Sequence, residues 1–267
     1  MTARHALAAL ALALAPVAAT AGPSPTGDVL RVCADPNNMP FSNRDGEGFE
    51  NKLAELVAEA MGRHVEYTWW AQRRGFIRNT LKAGRCDVVM GIPLLDMLTP
   101  TRAYYSSRYV FVTRADRDLS LHSLAAPELR DLTIGVHLIG DDGSNTPPAD
   151  ALGARGIVDN VRGYPIYGDY REPSPPSRLL DALVAGEIDV AAAWGPLAGY
   201  YAAHSDIPLH IEPIEETSAD MPLVFQFPIA MGVRKGDFVL RNELNEIIQT
   251  RRDDIDRLLD SFGVPRF

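Results

Sequence analysis

The chain has 267 residues, of which 46% are apolar and 23% charged, and carries a formal charge of −9. That composition belongs to a globular protein and not to a disordered one, and the length fits one large domain or two small ones. Basic residues form no run beyond pairs such as Arg73-Arg74 and Arg251-Arg252. The concentrated basic face that nucleic acid requires is therefore missing, and nucleic acid is excluded as a partner.

Residues 1–21 read as a secretory signal peptide. Arg4 and His5 give a short positive end, Ala6 to Ala15 an Ala/Leu run, and Ala19-Thr20-Ala21 an A-x-A cleavage site. The apolar run is too short to cross a bilayer, and no later segment approaches the length needed. A mature, exported protein starting near Gly22 is expected, in the periplasm.

The first element of the mature chain organises the rest. Leu30 to Cys33 form a short apolar strand that stops at Asp35-Pro36, followed by a polar loop through Asn37 and Asn38 to Pro40-Phe41. An open α/β sheet places its ligand crevice at the carboxyl ends of its parallel strands, so this loop is read as the floor of a cleft. The plainer alternative is a loop that only turns the chain. Next, Phe49, Leu53, Leu56, Val57, Ala60 and Met61 recur at helical spacing, and Gly62 suits a left-handed cap. The run HVEYTWW is β-rich and ends in Trp69-Trp70. A second helix is expected from Gly75 to Ala83, and DVVMGIP reads as a strand buried on both faces. Strand, helix, strand, helix, strand with right-handed crossovers makes a doubly wound α/β lobe. Residues Leu94–Arg102 (LLDMLTPTR) are expected as a loop at the same rim as Asn37-Asn38.

Tyr104–Arg114 and Pro222–Val233 are extended and lack helical periodicity, so both read as crossovers between two lobes. Between them LVAGEIDVAA (183–192) repeats LKAGRCDVVM (81–90), with Leu, Ala, Gly, Asp and Val at matching positions. The same helix–Gly–Asp–strand context implies two lobes on one plan. LTIGV is a strand, Leu138–Pro148 and Tyr164–Ser177 are Gly/Pro-rich loops, and Ser174-Pro175-Pro176 suits a helix start. Two amphipathic helices from Asp237 to Phe262 close the chain and are expected to pack back on the first lobe. The reading is two α/β lobes, residues 22–108 with 227–267 and residues 109–226, joined by a two-strand hinge.

Cys33 and Cys86 are the two cysteines. In an oxidising compartment an even pair suggests one structural disulfide, the alternative being two buried thiols. No zinc helix, phosphate-binding loop, nucleophile elbow or dinucleotide fingerprint is present, and the histidines do not cluster. Asp141-Asp142-Gly143 and Asp45-Gly46-Glu47 lack full calcium-loop spacing and read as turns. A lone carboxylate in a cleft would leave no sequence signature. Recognition chemistry remains. Trp69, Trp70 and Trp194 each end a strand, where a large ring suits ligand or protein contact, the alternative being a rim packed by core residues, and Arg73 and Arg102 are either forks for a carboxylate or solvated surface charges.

The strand-one loop with its Pro-Phe pair, the AGRCDVVMG junction, the TPTR loop and the closing MGVRKGD resemble type II periplasmic substrate-binding proteins over essentially the whole mature chain. In members that bind amino acids, an arginine of the TPxR-like loop holds the α-carboxylate, and Arg102 matches it. Where those members hold the ammonium with an acidic residue after the second-lobe strand, Trp194 stands here. Their Gly-Ser/Thr-Thr helix start is also missing after LTIGV. Both departures speak against amino-acid binding. CADPNNMPFSN, WWAQRRGFIRNTL, CDVVMGIP and FPIAMGVRKGD together resemble the J proteins of methanol dehydrogenase operons, of MoxJ and XoxJ type. That resemblance implies a non-enzymatic periplasmic accessory of a pyrroloquinoline-quinone-dependent methanol or alcohol dehydrogenase, with no cofactor of its own. It would assist maturation or activation by binding part of the apo-enzyme in the cleft. The alternative is a transporter-type solute receptor for a small molecule other than an ordinary amino acid. The expected cleft residues are Asn37, Asn38, Phe41, Trp69, Trp70, Arg73, Arg102 and Trp194.

Overall fold

The computed structural model describes residues 27–139, 145–166 and 170–267. The proposed signal peptide and Asp141-Asp142-Gly143 lie outside them. Among the described residues no helix is long and apolar enough to cross a membrane.

The first part of the chain runs β1 (Val29–Ala34), β2 (Asn37–Asn38), β3 (Ser42–Asn43), α1 (Phe49–Ala60), β4 (His64–Trp69), α2 (Phe76–Asn79), β5 (Val88–Pro93) and the long β6 (Thr99–Arg114). The second part follows with β7 (Ile134–Leu138), α3 (Pro147–Ala154), β8 (Val161–Pro165), α4 (Arg178–Val184), β9 (Val190–Trp194), α5 (Gly195–His204) and β10 (Leu209–Pro213). Then β11 (Gln226–Val233), α6 (Phe238–Thr250) and α7 (Arg252–Ser261) return the chain to the first part. The strand order β4-β1-β5-β11-β6-β9-β7-β8, with β10 also on β6, is two sheets that share one strand. The first half of β6 pairs with β11, and from Tyr109 onward it pairs with β9 and β10. Each sheet has a parallel core, β4-β1-β5 in one and β8-β7-β9 in the other, with antiparallel strands added. The chain is a two-lobed α/β protein.

Strand alternation sends side chains to both faces of each sheet. Val88 and Met90 join Phe49, Leu53, Leu244 and Ile255 on one face, under α1, α6 and α7. Val89 joins Phe76, Leu81 and the two cysteines on the other. In the second sheet Phe111 and Ala192 face one cluster, and Val110, Val112, Ala191 and Ala193 the other. The closing helices therefore pack back on the first lobe, as their apolar stripes require.

Several expectations are met in detail. Cys33 of β1 and Cys86, two residues before the neighbouring strand β5, form a disulfide with Cα atoms 5.5 Å apart and a sequence separation of 53. A loop of that length is worth about 4 kcal/mol of chain entropy. The internal repeat is structural. Gly84 (φ 70°) and Gly186 (φ 74°) both take the left-handed conformation that only glycine adopts freely. Gly84 N–H donates to Leu81 O and Gly186 N–H to Leu183 O, each at 3.1 Å. The two aspartates then dock on the preceding parallel strand, Asp87 N–H to Arg31 O and Asp189 N–H to Thr133 O.

Two expectations are corrected. The second helix is a single turn, Phe76–Asn79, because the chain leaves helical geometry at Thr80 and turns to Gly84. The segment TPTR is not a rim loop but the start of β6. Register explains it: Thr99 pairs with Val233 and Val233 with Val88, so Thr99 lies at the far end of the sheet from Pro93. Pro93 is instead level with Ile229, and Ile229 with Tyr105. The short connection Leu94–Leu98 carries the chain back across the sheet before β6 begins.

Candidate functional site

A cavity of about 380 Å³ opens between the two lobes. The first lobe contributes the ends of β1 and β5, the loop after β1, the first turn of α1 and the middle of β6 and β11. The second contributes the start of α5, the ends of β7 and β9, and the segment that enters α4. This is where an open α/β sheet places ligands, at the carboxyl ends of its parallel strands.

The wall is mostly apolar. Phe41, Tyr105, Tyr109, Trp194 and Phe227 supply rings, and Ile92, Ile166, Leu197 and Ile229 aliphatic surface. The rings hold one another. Trp194 meets Tyr109 at 5.3 Å and Phe227 at 6.0 Å, both edge-on, while Phe41 and Tyr105 each pack on buried Phe49. Phe227 pairs with Ser107 at the strand crossover, so it reaches the cavity from the shared strands themselves.

Polar groups enter at few points. Asp35, 2% exposed, accepts from Asn37 N–H (2.8 Å), Gln72 N–H (2.6 Å) and the Tyr170 hydroxyl (2.8 Å). Asn37 reaches across the cleft: its Nδ2 donates to Glu172 O at 2.7 Å, and its Oδ1 accepts from Ser174 N–H at 3.0 Å. Asn38 holds Gln72 instead. His137, 4% exposed, donates from Nε2 to Pro176 O at 2.9 Å, since a carbonyl can only accept. Burial lowers its pKa to about 4, so the ring is neutral at physiological pH. Glu50 sits in the first turn of α1, 9% exposed, and burial followed by the charge of Asp35 pushes its carboxyl up to about 8. No arginine or lysine is among the described residues of the wall.

Of the residues expected from the sequence, Asn37, Asn38, Phe41 and Trp194 line this cavity. Trp69, Trp70, Arg73 and Arg102 do not. β4 is the outer strand of its sheet, so an aromatic at its end covers the sheet edge. Trp69 stacks on Tyr67 at 4.5 Å under the Arg44 guanidinium, and Trp70 lies under Arg85. Arg73 is exposed. Arg102, next to Ala103 at the level of Ile92, stands on the edge of β6 that faces α6, where it is exposed and met by Asn245 and Gln249.

Sequence reasoning passed over Glu50, His137, Tyr105, Tyr109 and Phe227. A signal existed for Glu50: Ala54, Val57 and Ala58 follow it on the buried face of α1, so an acid stands on an apolar stripe. The hydrogen bonds of Asn37 span the cleft, and each is worth about 1 kcal/mol. Asn37→Ala is expected to shift the balance of open and closed forms roughly 30-fold toward open. Small-angle scattering of the two proteins checks this, and superimposable profiles would refute the bridging role.

The chain matches the family model of bacterial extracellular solute-binding proteins, family 3, over residues 30–264. It is 33% identical to Protein MoxJ of Methylorubrum extorquens over 256 residues, 90% of this chain and 82% of that protein. The crystal structure of periplasmic binding protein XoxJ from Methylobacterium extorquens AM1 is 34% identical, with a TM-score of 0.73, covering 89% of this chain and 99% of that one. That of MxaJ from Methlophaga aminisulfidivorans MPT is 27% identical, with a TM-score of 0.75, covering 89% and 100%. With this match over nearly all of the described residues, and with a cleft at the carboxyl ends of two parallel sheets, the chain belongs to the bacterial extracellular solute-binding proteins of family 3 and, within them, to the MoxJ/XoxJ-like periplasmic binding proteins.

Proposed function

We propose that this protein is a periplasmic, non-enzymatic accessory of a pyrroloquinoline-quinone-dependent methanol or alcohol dehydrogenase. In this reading residues 22–108 with 227–267 and residues 109–226 close as units about the paired strands β6 and β11. Part of the apo-enzyme enters the cleft between them while it is matured or activated. The observation that carries the reading is the wall itself, aromatic and without arginine or lysine among its described residues. A free amino acid needs a cation for its α-carboxylate, and Arg102 lies outside the cavity lining, against α6. Rings held at fixed angles by one another suit a protein contact, since Trp and Tyr dominate interface energies. Kinship with MoxJ and XoxJ supports the same partner class, and the disulfide suits an exported protein.

Co-elution of the mature protein with purified dehydrogenase, once cofactor-free and once loaded, tests the proposal. A complex with the cofactor-free form alone is expected; no complex with either form would overturn it. Trp194→Ala is expected to weaken that complex by about 2 kcal/mol, roughly 30-fold, with the melting profile retained. Unchanged affinity would remove Trp194 from the contact.

A second reading, a solute receptor for a small molecule other than an ordinary amino acid, draws on the closed geometry. The bonds from Asp35 and Asn37 to Tyr170, Glu172 and Ser174 enclose a volume suited to a compact ligand. Tight binding of such a molecule, with closure visible in scattering, would favour it.

A further inference from the structure

Glu50 differs from the other acid of the cavity. Asp35 already accepts hydrogen bonds from Asn37, Gln72 and Tyr170. The Glu50 carboxyl faces the same cavity, nine-tenths buried, and no described residue gives it a hydrogen bond or an ion pair. The fold makes room for it: a Cβ at Gly91 would stand 2.0 Å from Glu50 Oε1. Beside it, Tyr104 Oη is also buried without a partner. A buried carboxyl left unpaired costs stability and is retained where something else pairs with it.

The rest of the wall says what that partner is. Phe41, Tyr105, Tyr109, Trp194 and Phe227 present ring surface, which attracts a cation through the ring quadrupole. No lysine or arginine among the described wall residues competes for the carboxylate, and His137 is neutral. We propose that the cavity is an organic-ammonium site, in which Glu50 pairs with one ammonium group carried on a compact apolar stem that the aromatic wall receives. The ammonium belongs either to a free amine or to a lysine side chain of a docked protein. The inference goes beyond the accessory role and does not depend on it.

Three probes of similar size separate charge from shape: 2-phenylethylammonium, its isostere 2-phenylethanol, and phenylacetate, titrated calorimetrically into the mature protein at pH 7. The cation is expected to bind about tenfold tighter than the alcohol, and the acid more weakly than either. Glu50 is protonated in the empty cavity, so the cation displaces a proton, and the measured heat will change with the ionisation enthalpy of the buffer. The titratable groups that interact with Glu50 are Asp35, Tyr67, Tyr104 and Tyr105, and His137 lines the same cavity. Burial moves the three tyrosines above their usual value and the histidine below its own, so none of those four releases that proton.

Glu50→Gln is expected to erase the advantage of the cation while leaving the alcohol bound, with a thermal melt reporting the fold. Equal affinities for cation and alcohol in the wild type, or an undiminished preference in Glu50→Gln, would overturn the proposal. If no small molecule binds but a dehydrogenase co-elutes, Glu50→Gln decides again. Loss of the complex by a folded variant assigns the ammonium to a partner lysine, and an unchanged complex overturns the site. No binding of any kind overturns it as well.

Discussion

Asp87→Ala is expected to cost the fold about 3 kcal/mol, whereas Asp189→Ala, its mate in the internal repeat, costs about 1 kcal/mol. Asp87 is fully buried and accepts from Arg31 Nε at 2.9 Å, Arg31 Nη2 at 2.6 Å and Arg234 Nη2 at 3.1 Å. Those bonds tie β1 to the start of β5 and to the chain that leaves β11. Removing the carboxylate strands two guanidiniums, but both reach water in part, so the penalty stays below that of a fully buried pair. Asp189 holds Arg117 and Thr133 N–H nearer the surface, where solvent screens the pair. The pH dependence carries a second signature. Burial alone would raise the Asp87 pKa, and the hydrogen bonds from Arg31 and Arg234 outweigh it, so the net shift is downward. A carboxyl held below its unfolded value stabilises above about pH 4 and loses that contribution as pH falls through the folded pKa. Urea midpoints at pH 7 and pH 3 check both points: the deficit of Asp87→Ala should shrink at pH 3, and a constant deficit would refute the ionic account.

The lobes were legible because their signals are local. Gly84 and Gly186 stop a helix, an aspartate docks, and an apolar run follows, and each step needs only neighbouring residues. The cysteine pair was legible because β1 and β5 had to be neighbours in a parallel sheet. Asn37, Asn38, Phe41 and Trp194 come together at one cavity for the same reason: the first three follow β1 directly, and Trp194 ends β9. Arg102 was expected on a rim loop and instead stands within β6, on the edge that faces α6, and which helix flanks a strand edge is a non-local property that no local pattern encodes. Trp69 and Trp70 stand away from this cavity for a related reason, since an aromatic at the end of an outer strand covers an edge and one at the end of an inner strand faces the cleft. Glu50 and His137 went unread because single polar residues on apolar faces acquire meaning only once burial is known.

Glu50→Gln should make the protein more stable at neutral pH, by about 2 kcal/mol, and leave it unchanged near pH 4.5. The sign follows from linkage. An unfolded glutamate titrates near 4.3, and in the fold the same carboxyl is pushed up to about 8, by burial first and by Asp35 second. Between those values the folded state holds the proton more tightly, so bringing the pH up through this window removes stability. The full difference at pH 7 is about 3–4 kcal/mol by 1.36 kcal/mol per unit, and relaxation of the cavity recovers part of it. Glutamine fills the same space without an ionisation penalty, and it forfeits no partner because the carboxyl has none among the described residues. Denaturation of both proteins at pH 4.5 and pH 7.5 measures the effect, and an equal difference at the two values would refute it. This trend runs opposite to that of Asp87, so the two acids are separable in one pH series. A fold that keeps a destabilising carboxyl in an aromatic cavity, with a glycine opposite to admit it, has a use for that charge when the cleft is filled.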